Sequence, residues 1–216
     1  MKKAIQLLMV IGMLMASPVV SAQTKALSKA IKKEYKAKKK ELEKGGWEVY
    51  GSPRSVDVTL MKFYEKLNEN ENLTVITGIA GAFNQKSLGR DKAIVNAQQV
   101  YARSAATIIS GRFISETGSM SDDVEAEFEK FNSTYQGAVM KEIKHELSEC
   151  FSVIRQVETT TNGKPVYEIQ TYFIVDNVAA KRVRLNALRE CLRESKELQQ
   201  YADKLEAYAD EEVPVE

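Results

Sequence analysis

Apolar residues recur every three or four positions in five stretches of this chain, a spacing that places them on one face of an α-helix. The predicted helices cover residues 24–44, 53–67, 91–112, 122–147 and 178–209. Ser52 is the predicted N-cap of the second helix, and Gly45-Gly46 ends the first. The far end of the last helix is rich in acidic residues, so we predict that it stays exposed to solvent.

Two other regions have apolar residues at alternating positions, the pattern of β-strands: one single strand and one β-hairpin. Residues 73–83 carry apolar groups at both alternating sets of positions, which indicates a strand buried on at least part of each face. Gly78 and Gly81 weaken such a strand unless a helix or a partner approaches its backbone closely. Residues 151–176 predict a β-hairpin with its turn at 160–163.

The register of this hairpin depends on the length of its loop. A two-residue Asn-Gly turn would place the apolar sets of the two arms on opposite faces of the sheet. A three-residue loop at 161–163, with its glycine in the left-handed conformation, pairs Phe151 with Phe173 and Val157 with Tyr167. Because this pairing aligns the apolar sets, we predict the longer loop.

Together these elements predict one α+β domain at residues 47–200. Its small three-stranded sheet consists of the 73–83 strand and the late hairpin, with several helices packed on it. A Lys-rich basic amphipathic helix at 23–46 precedes the domain, and an acidic C-terminal tail at 201–216 follows it. Three strands leave two edges, which favours self-association or the addition of a partner's strand.

The first 22 residues are typical of an export signal. A basic start precedes an apolar run at 5–15, which is too short to span a bilayer, and small residues at 20–22 suit signal peptidase. We expect cleavage between Ala22 and Gln23 and a periplasmic or secreted mature protein. No later apolar stretch approaches the roughly 20 residues of a membrane-spanning helix, so we expect no transmembrane segment after cleavage.

The charge of the chain is balanced overall but unevenly placed. The full chain has a formal net charge of +1, and cleavage leaves 194 residues with 29 basic and 30 acidic side chains. This balance argues against a nucleic-acid partner, because such binding draws on a surplus of Lys and Arg. Nine lysines lie between Lys25 and Lys44. Two interpretations of this helix stay open: peripheral contact with an anionic envelope surface or partner, or a solvated helix held by a thin apolar stripe.

Few residues are candidates for catalysis, metal binding or a disulfide. Cys150 and Cys191 can form a disulfide in an oxidising compartment, or both can be small buried apolar residues. His145 lies among helical glutamates, but a metal site or a general base requires a second ligand or a nucleophile that the sequence does not supply. The sequence has no phosphate-binding loop and no nucleophile-elbow motif. We therefore expect a protein without catalytic residues, metal or cofactor, which is not an enzyme.

Four aromatic residues are the remaining candidates for a site. Trp47, Tyr50, Tyr101 and Tyr172 could line a surface that binds a polymer or a partner, since amphipathic aromatic side chains are frequent at interfaces. The alternative is that they seal gaps between the helices and the sheet.

Several short segments resemble the LPP20-like exported protein family, grouped with the Helicobacter lipoprotein LPP20, and in particular its non-lipidated members in Bacteroidetes. These segments are the Lys-rich helix ending in Gly45-Gly46-Trp47, the strand at 74–80, the Ala-rich helix at 93–106 and the late hairpin. The resemblance implies an envelope-associated α+β domain of poorly understood role, with no family catalytic residues to transfer. The chain differs from the lipoproteins in having no lipid-accepting cysteine at the expected cleavage site.

The leading hypothesis is therefore an exported, envelope-associated, non-enzymatic interaction or structural protein, with an envelope protein or a second copy as its partner. One alternative is a periplasmic binding module that holds a small apolar or glycan ligand between the Ala-rich helix and the sheet near Trp47. A hydrolase that uses His145 is the last alternative.

Overall fold

Six α-helices and four β-strands make up the part of the chain that the computed structural model describes, residues 17–118, 121–159 and 162–213. In order these are α1 (Ser17–Lys44), β1 (Glu48–Val49), α2 (Val56–Glu69), β2 (Leu73–Phe83), α3 (Lys86–Thr117), α4 (Asp122–Ile143), β3 (Ser148–Thr159), β4 (Pro165–Asp176), α5 (Asn177–Arg193) and α6 (Ala202–Asp210), with a 3₁₀ turn at Gln199–Tyr201 before α6. The predicted α+β class is confirmed. Residues 1–16 of the expected leader lie outside the described residues, and residues 17–22 belong to α1.

The sheet has four strands rather than the predicted three. All neighbours are antiparallel in the order β1-β3-β4-β2. The additional strand, β1, pairs Glu48 with Ile154 and Val49 with Val153. Two residues are too few to show an alternating pattern, so periodicity could not predict this strand.

The hairpin keeps its predicted register only near the turn. Thr159 lies opposite Pro165, as the three-residue loop requires, and Gly163 has the left-handed φ of 74°. Two register shifts follow along β3, one between Gln156 and Glu158 and one between Glu149 and Phe151. Each shift inserts one extra residue into β3, as a β-bulge does.

The predicted pairs of the hairpin are therefore wrong. Phe151 lies opposite Tyr172 instead of Phe173, and Tyr167 lies opposite Gln156 instead of Val157. The prediction assumed that only one face of the hairpin is buried. Both faces are in fact covered by helices, so alignment of all apolar residues on one face is not required.

The sheet is the middle layer between two groups of helices. Successive side chains of β4 point to opposite faces, Tyr172 and Ile174 to one and Phe173 and Val175 to the other. On the first face they pack with residues of α1, α2, the α1–β1 link and β3, namely Leu42, Trp47, Leu60, Phe63, Phe151 and Val153. On the second face, α3, α4, α5 and α6 form the larger core.

Helix α3 lies unusually close to β2. A Cβ atom added to Gly78 would lie 1.9 Å from the carbonyl oxygen of Ala93 and 3.0 Å from the Cβ of Ala97. Both alanines are fully buried. The prediction that a helix approaches the backbone of β2 is confirmed at Gly78. At Gly81 an added Cβ atom would have room, because its nearest neighbour, Cγ of Glu168, would lie 3.7 Å away.

The outer edge of β2 is partly obstructed. The N–H of Ile79 donates to Oδ1 of Asn96 on α3 at 2.9 Å. The pairing with β4 shifts register between Ala80 and Phe83, and Ala82 has a φ of 54°. Both features work against the addition of a further strand along the second half of this edge.

The C-terminal segment is packed rather than solvated, over the described residues 201–213. The predicted helix at 178–209 is divided into α5 and α6, and Leu205 on α6 is fully buried with Tyr208 and Ala209 nearby in the core. The predicted acidic tail is therefore wrong here. Composition misled because the acidic residues outnumber the few apolar ones, although these recur at helical spacing.

Helix α4 follows its predicted face closely. The apolar stripe of α4 is buried at all six predicted positions within the helix, Val124, Phe128, Phe131, Tyr135, Val139 and Ile143. Helix α2 begins later than predicted, because Ser55 rather than Ser52 is its N-cap and accepts a hydrogen bond from the N–H of Val58 at 3.3 Å. None of the described helices has the length and apolar character needed to cross a membrane.

Replacing Gly78 with Ala should destabilise the protein by about 3 kcal/mol, because the new methyl group meets the backbone of α3 and neither backbone can move away cheaply. Gly81→Ala is the matched control in the same strand and should change the free energy of unfolding by less than about 1 kcal/mol, since its added Cβ has room. Urea unfolding measures both. Equal effects of the two substitutions would contradict the close packing.

Candidate functional site: a lysine-bearing helix and its groove

Six exposed lysines share one side of α1. They are Lys29, Lys32, Lys33, Lys36, Lys40 and Lys44, and we call this set the lysine stripe. At 100° of rotation and 1.5 Å of rise per residue, the stripe occupies an arc of about 120° and a length of about 22 Å. Tyr35 and Leu42, which face the protein, lie on the opposite side of the helix.

The lysine stripe is not neutralised within the described residues. The structure pairs none of the six lysines with a carboxylate there, and the one acidic residue on their arc, Glu43, lies 3.8 Å from the ammonium group of Lys39 instead. Like charges three or four residues apart destabilise a helix by a few tenths of a kcal/mol per pair. An anionic partner would remove this repulsion, which makes the stripe a candidate binding surface.

Contacts with α2 and the sheet keep the stripe turned outward. Leu42 is fully buried on the first face of the sheet. Asp57 of α2 lies 2.6 Å from Nζ of Lys39 and accepts a hydrogen bond from the hydroxyl of Tyr35. Lys38 lies 5.5 Å above the ring of Tyr172. These contacts fix the rotation of α1 about its own axis.

The Asp57 cluster shifts the titration of all three members. The hydrogen bonds from Lys39 and then from Tyr35 lower the pKa of Asp57 below its ordinary value. The same contacts raise the pKa of Lys39 and of the Tyr35 hydroxyl, in both cases chiefly through the hydrogen bond to Asp57. The ion pair therefore persists over a wide pH range.

A groove with an apolar lining lies between α1 and α2. Its volume is about 330 Å³, and its lining residues are Ile31, Lys32, Tyr35, Met61, Tyr64, Glu65 and Asn68. The rings of Tyr35 and Tyr64 meet edge to face with centroids 6.0 Å apart, and Met61 is 47% exposed. Lys32 belongs to both the lysine stripe and the groove, so the two features are continuous. The groove is at the lower end of the size range of small-molecule sites.

Trp47 and Tyr172, two of the predicted binding residues, are buried on the first face. Trp47 is 8% exposed, and the guanidinium of Arg155 lies 4.6 Å above its ring. Tyr172 is 3% exposed and stacks on Phe151 with ring centroids 4.5 Å apart. Both residues fill space between the sheet and the helices that cover it.

Tyr101 and Tyr50 lie elsewhere. Tyr101 is 1% exposed within the core of the second face. Tyr50 is half-buried against the small cluster that contains Ile154 and Ile169. The structure therefore does not bring the four predicted aromatic residues to one surface, and three of them seal gaps in the interior.

The possible disulfide between Cys150 and Cys191 is not formed in the structure. Cys150 and Cys191 are free thiols, the first half-buried against the cluster of the first face and the second buried in the core of the other face. The sheet lies between these two clusters. Burial raises the pKa of the Cys191 thiol to about 11 and also raises that of Cys150, so both thiols are poor nucleophiles at neutral pH.

His145 is exposed just after α4, and its backbone N–H donates to the carbonyl of Glu142 at 3.1 Å. Within residues 17–118, 121–159 and 162–213, no group of three or more His, Cys, Asp or Glu side chains could hold a metal ion.

The groove was not predicted from the sequence, whereas the lysine stripe was partly predictable. The helical spacing of the six lysines was present in the sequence and shows that they share one side. The position of Tyr64 and Met61 beside Tyr35 depends on how α2 packs against α1, which no local pattern encodes.

No family model, no curated protein and no solved structure matches this chain. The resemblance to the LPP20-like family therefore stays a prediction. The fold and surface define an α+β protein whose sheet is covered by helices on both faces and whose first helix presents a cationic side to solvent.

Asp57→Asn should weaken the attachment of α1 to α2 and reduce the pH dependence of the free energy of unfolding in the acidic range. Because the folded-state pKa of Asp57 lies below its ordinary value of 3.8, its carboxylate stabilises the fold above that value, and the contribution is lost as the pH falls through the lowered pKa. The wild-type urea midpoint should therefore fall further between neutral pH and about pH 3 than that of the variant.

Asp91→Asn, at an exposed position of α3, is the control for this measurement and should keep the wild-type pH profile. If Asp57→Asn also keeps that profile, Asp57 does not hold α1 in place through its charge.

Proposed function

We propose that this protein is exported and acts at the cell envelope as a non-enzymatic interaction or structural protein, docking through the lysine stripe on an anionic lipid surface. The observation that best supports this proposal is the stripe itself, six exposed lysines on one side of a helix whose other side is held by Asp57 and Leu42. The location of the protein at the envelope rests on the leader expected at residues 1–22 and on the resemblance predicted from the sequence.

The geometry suits electrostatic docking rather than insertion. Where the side chains of α1 are described, its apolar residues Tyr35 and Leu42 pack against α2 and the sheet, so they are not free to enter a bilayer. Each lysine near an anionic membrane contributes about 1 kcal/mol, so six are enough for reversible attachment at moderate salt. Such attachment weakens as salt rises, because the Debye length falls from about 10 Å at 0.1 M to about 3 Å at 1 M.

A second candidate function is the binding of a small apolar ligand in the groove between α1 and α2. The volume of about 330 Å³ and the lining by Tyr35, Tyr64 and Met61 favour it. The location expected from the sequence, between the Ala-rich helix and the sheet near Trp47, is not available. Helix α3 packs directly on β2, and Trp47 lies on the other face of the sheet.

Two variants that each lose five positive charges, one in the stripe and one outside α1, test lipid docking. Five substitutions in the stripe, Lys29→Gln, Lys32→Gln, Lys33→Gln, Lys36→Gln and Lys40→Gln, should weaken sedimentation with phosphatidylglycerol-containing vesicles by at least about tenfold. The control carries the same change of charge at five exposed lysines outside α1, Lys92, Lys130, Lys141, Lys144 and Lys204, and should bind nearly as the wild type does. Vesicles of phosphatidylcholine alone should bind none of the three proteins.

Equal losses in the two variants would show that only net charge matters and would contradict docking through the stripe. Ligand binding in the groove has a separate signature. An apolar fluorescent dye would then bind the wild type and a variant with only Lys29, Lys33, Lys36 and Lys40 replaced by Gln alike, and Met61→Glu would remove its signal.

Export has its own test. The intact mass of the protein from the envelope fraction should correspond to a chain that begins at Gln23, because signal peptidase is expected to cut after Ala22. An uncleaved chain recovered from the cytosol would contradict the export part of the proposal while leaving the vesicle result interpretable.

A further inference from the structure

Arg184 of α5 is a buried cation that the structure pairs with no carboxylate among the described residues. It is 5% exposed. Its Nε donates to the carbonyl oxygen of Ala209 at 2.9 Å, one terminal nitrogen donates to that of Glu211 at 2.8 Å, and the other donates to the hydroxyl of Tyr101. A guanidinium carries five N–H donors, so two remain beyond these three bonds. Buried charged groups are usually paired, which makes this arrangement unusual.

A cavity of about 210 Å³ adjoins the guanidinium. Its polar lining includes Asn72, Thr74, Tyr101, Asn177, Lys181 and Arg184. It lies where α3, α5 and the end of α6 meet beside the start of β2. It is therefore distant in the fold from the lysine stripe, which α1 carries on the other side of the sheet.

Four side chains of this lining, Arg184, Tyr101, Asn177 and Lys181, offer hydrogen-bond donors to a ligand. The Tyr101 hydroxyl accepts from Arg184, so its own proton is available to another acceptor. Oδ1 of Asn177 accepts from the hydroxyl of Thr74 at 2.6 Å, which leaves the amide N–H₂ as a donor. Lys181 contacts Asp210 at 2.5 Å with one of three available N–H groups. An acceptor-rich, negatively charged ligand matches this lining.

We propose that this cavity binds the carboxylate of a small organic acid, with Arg184 and the Tyr101 hydroxyl as donors to its two oxygens and Lys181 and Asn177 at its entrance. A carboxylate suits these donors, because a hydrogen bond between a guanidinium and a carboxylate is charge-assisted and stronger than one between neutral groups.

The rim limits the charge and the size of the ligand. Asp210 and Glu212 also line the cavity, and their carboxylates repel a second negative charge. A monocarboxylate is therefore favoured over a phosphate dianion. The volume is below the usual range of about 300 to 1,000 Å³ for drug-sized ligands, so the acid is small. Burial raises the pKa of Tyr101, which keeps its hydroxyl protonated as a donor.

Sodium acetate is the probe for the first experiment. The side-chain Nε–H signal of Arg184 and the amide signals of Asn177 and Val213 are followed by NMR at constant ionic strength, with sodium chloride replacing acetate in the reference titration. Acetate should give saturable shifts at these positions, and chloride should not. Shifts that grow linearly and equally with both salts would overturn the proposal, as would inorganic phosphate binding as tightly as acetate.

Variants then test the residues. Lys181→Gln should weaken acetate binding at least threefold, while Lys141→Gln, an exposed lysine of α4, should leave it unchanged. Tyr101→Phe keeps the ring and removes one donor, and should weaken binding about tenfold. If Tyr101→Phe fails to fold, the two lysine variants decide the question, and equal acetate affinity in both would overturn the assignment of the site. None of these results depends on whether the lysine stripe binds lipid.

Discussion

The backbones of α3 and β2 approach so closely at Gly78 that even one methyl group would overlap the carbonyl of Ala93. The rest of the second face depends on this approach, because a helix that lies close to the sheet leaves room for α4, α5 and α6 to pack around it. Small residues at Ala93 and Ala97 make the approach possible, and the large side chains of the core begin only farther along α3, at Tyr101. Tyr101 reaches Arg184 from this position, so the cavity beside Arg184, which we propose binds a carboxylate, is a consequence of the same contact.

The first face of the sheet positions the lysine stripe, the surface proposed to dock on lipid. With α3 closing one side, the sheet buries Tyr172 and Ile174 on the opposite side against α1 and α2. Helix α1 can then expose its lysines, since Leu42 and the Asp57 cluster attach its remaining side.

Much of the architecture follows from local sequence, and the exceptions have physical reasons. The limits of β2, the buried stripe of α4 and the helix approaching Gly78 were predictable, because each depends on the periodicity or the size of neighbouring side chains. Strand β1 is too short for periodicity, and the β3 bulges depend on helices that cover both faces. The lysine side of α1 was readable in the sequence, whereas the groove and the environment of Arg184 require residues far apart in the chain.

We propose that the lysine stripe, and no other lysine-bearing surface of the described residues, meets an anionic membrane. Acetylation of lysines followed by mass spectrometry, with and without phosphatidylglycerol vesicles, measures this directly. The vesicles should protect Lys29, Lys32, Lys33, Lys36 and Lys40 and leave Lys92, Lys141 and Lys204 as reactive as in free protein. Uniform protection, or protection only outside α1, would contradict it.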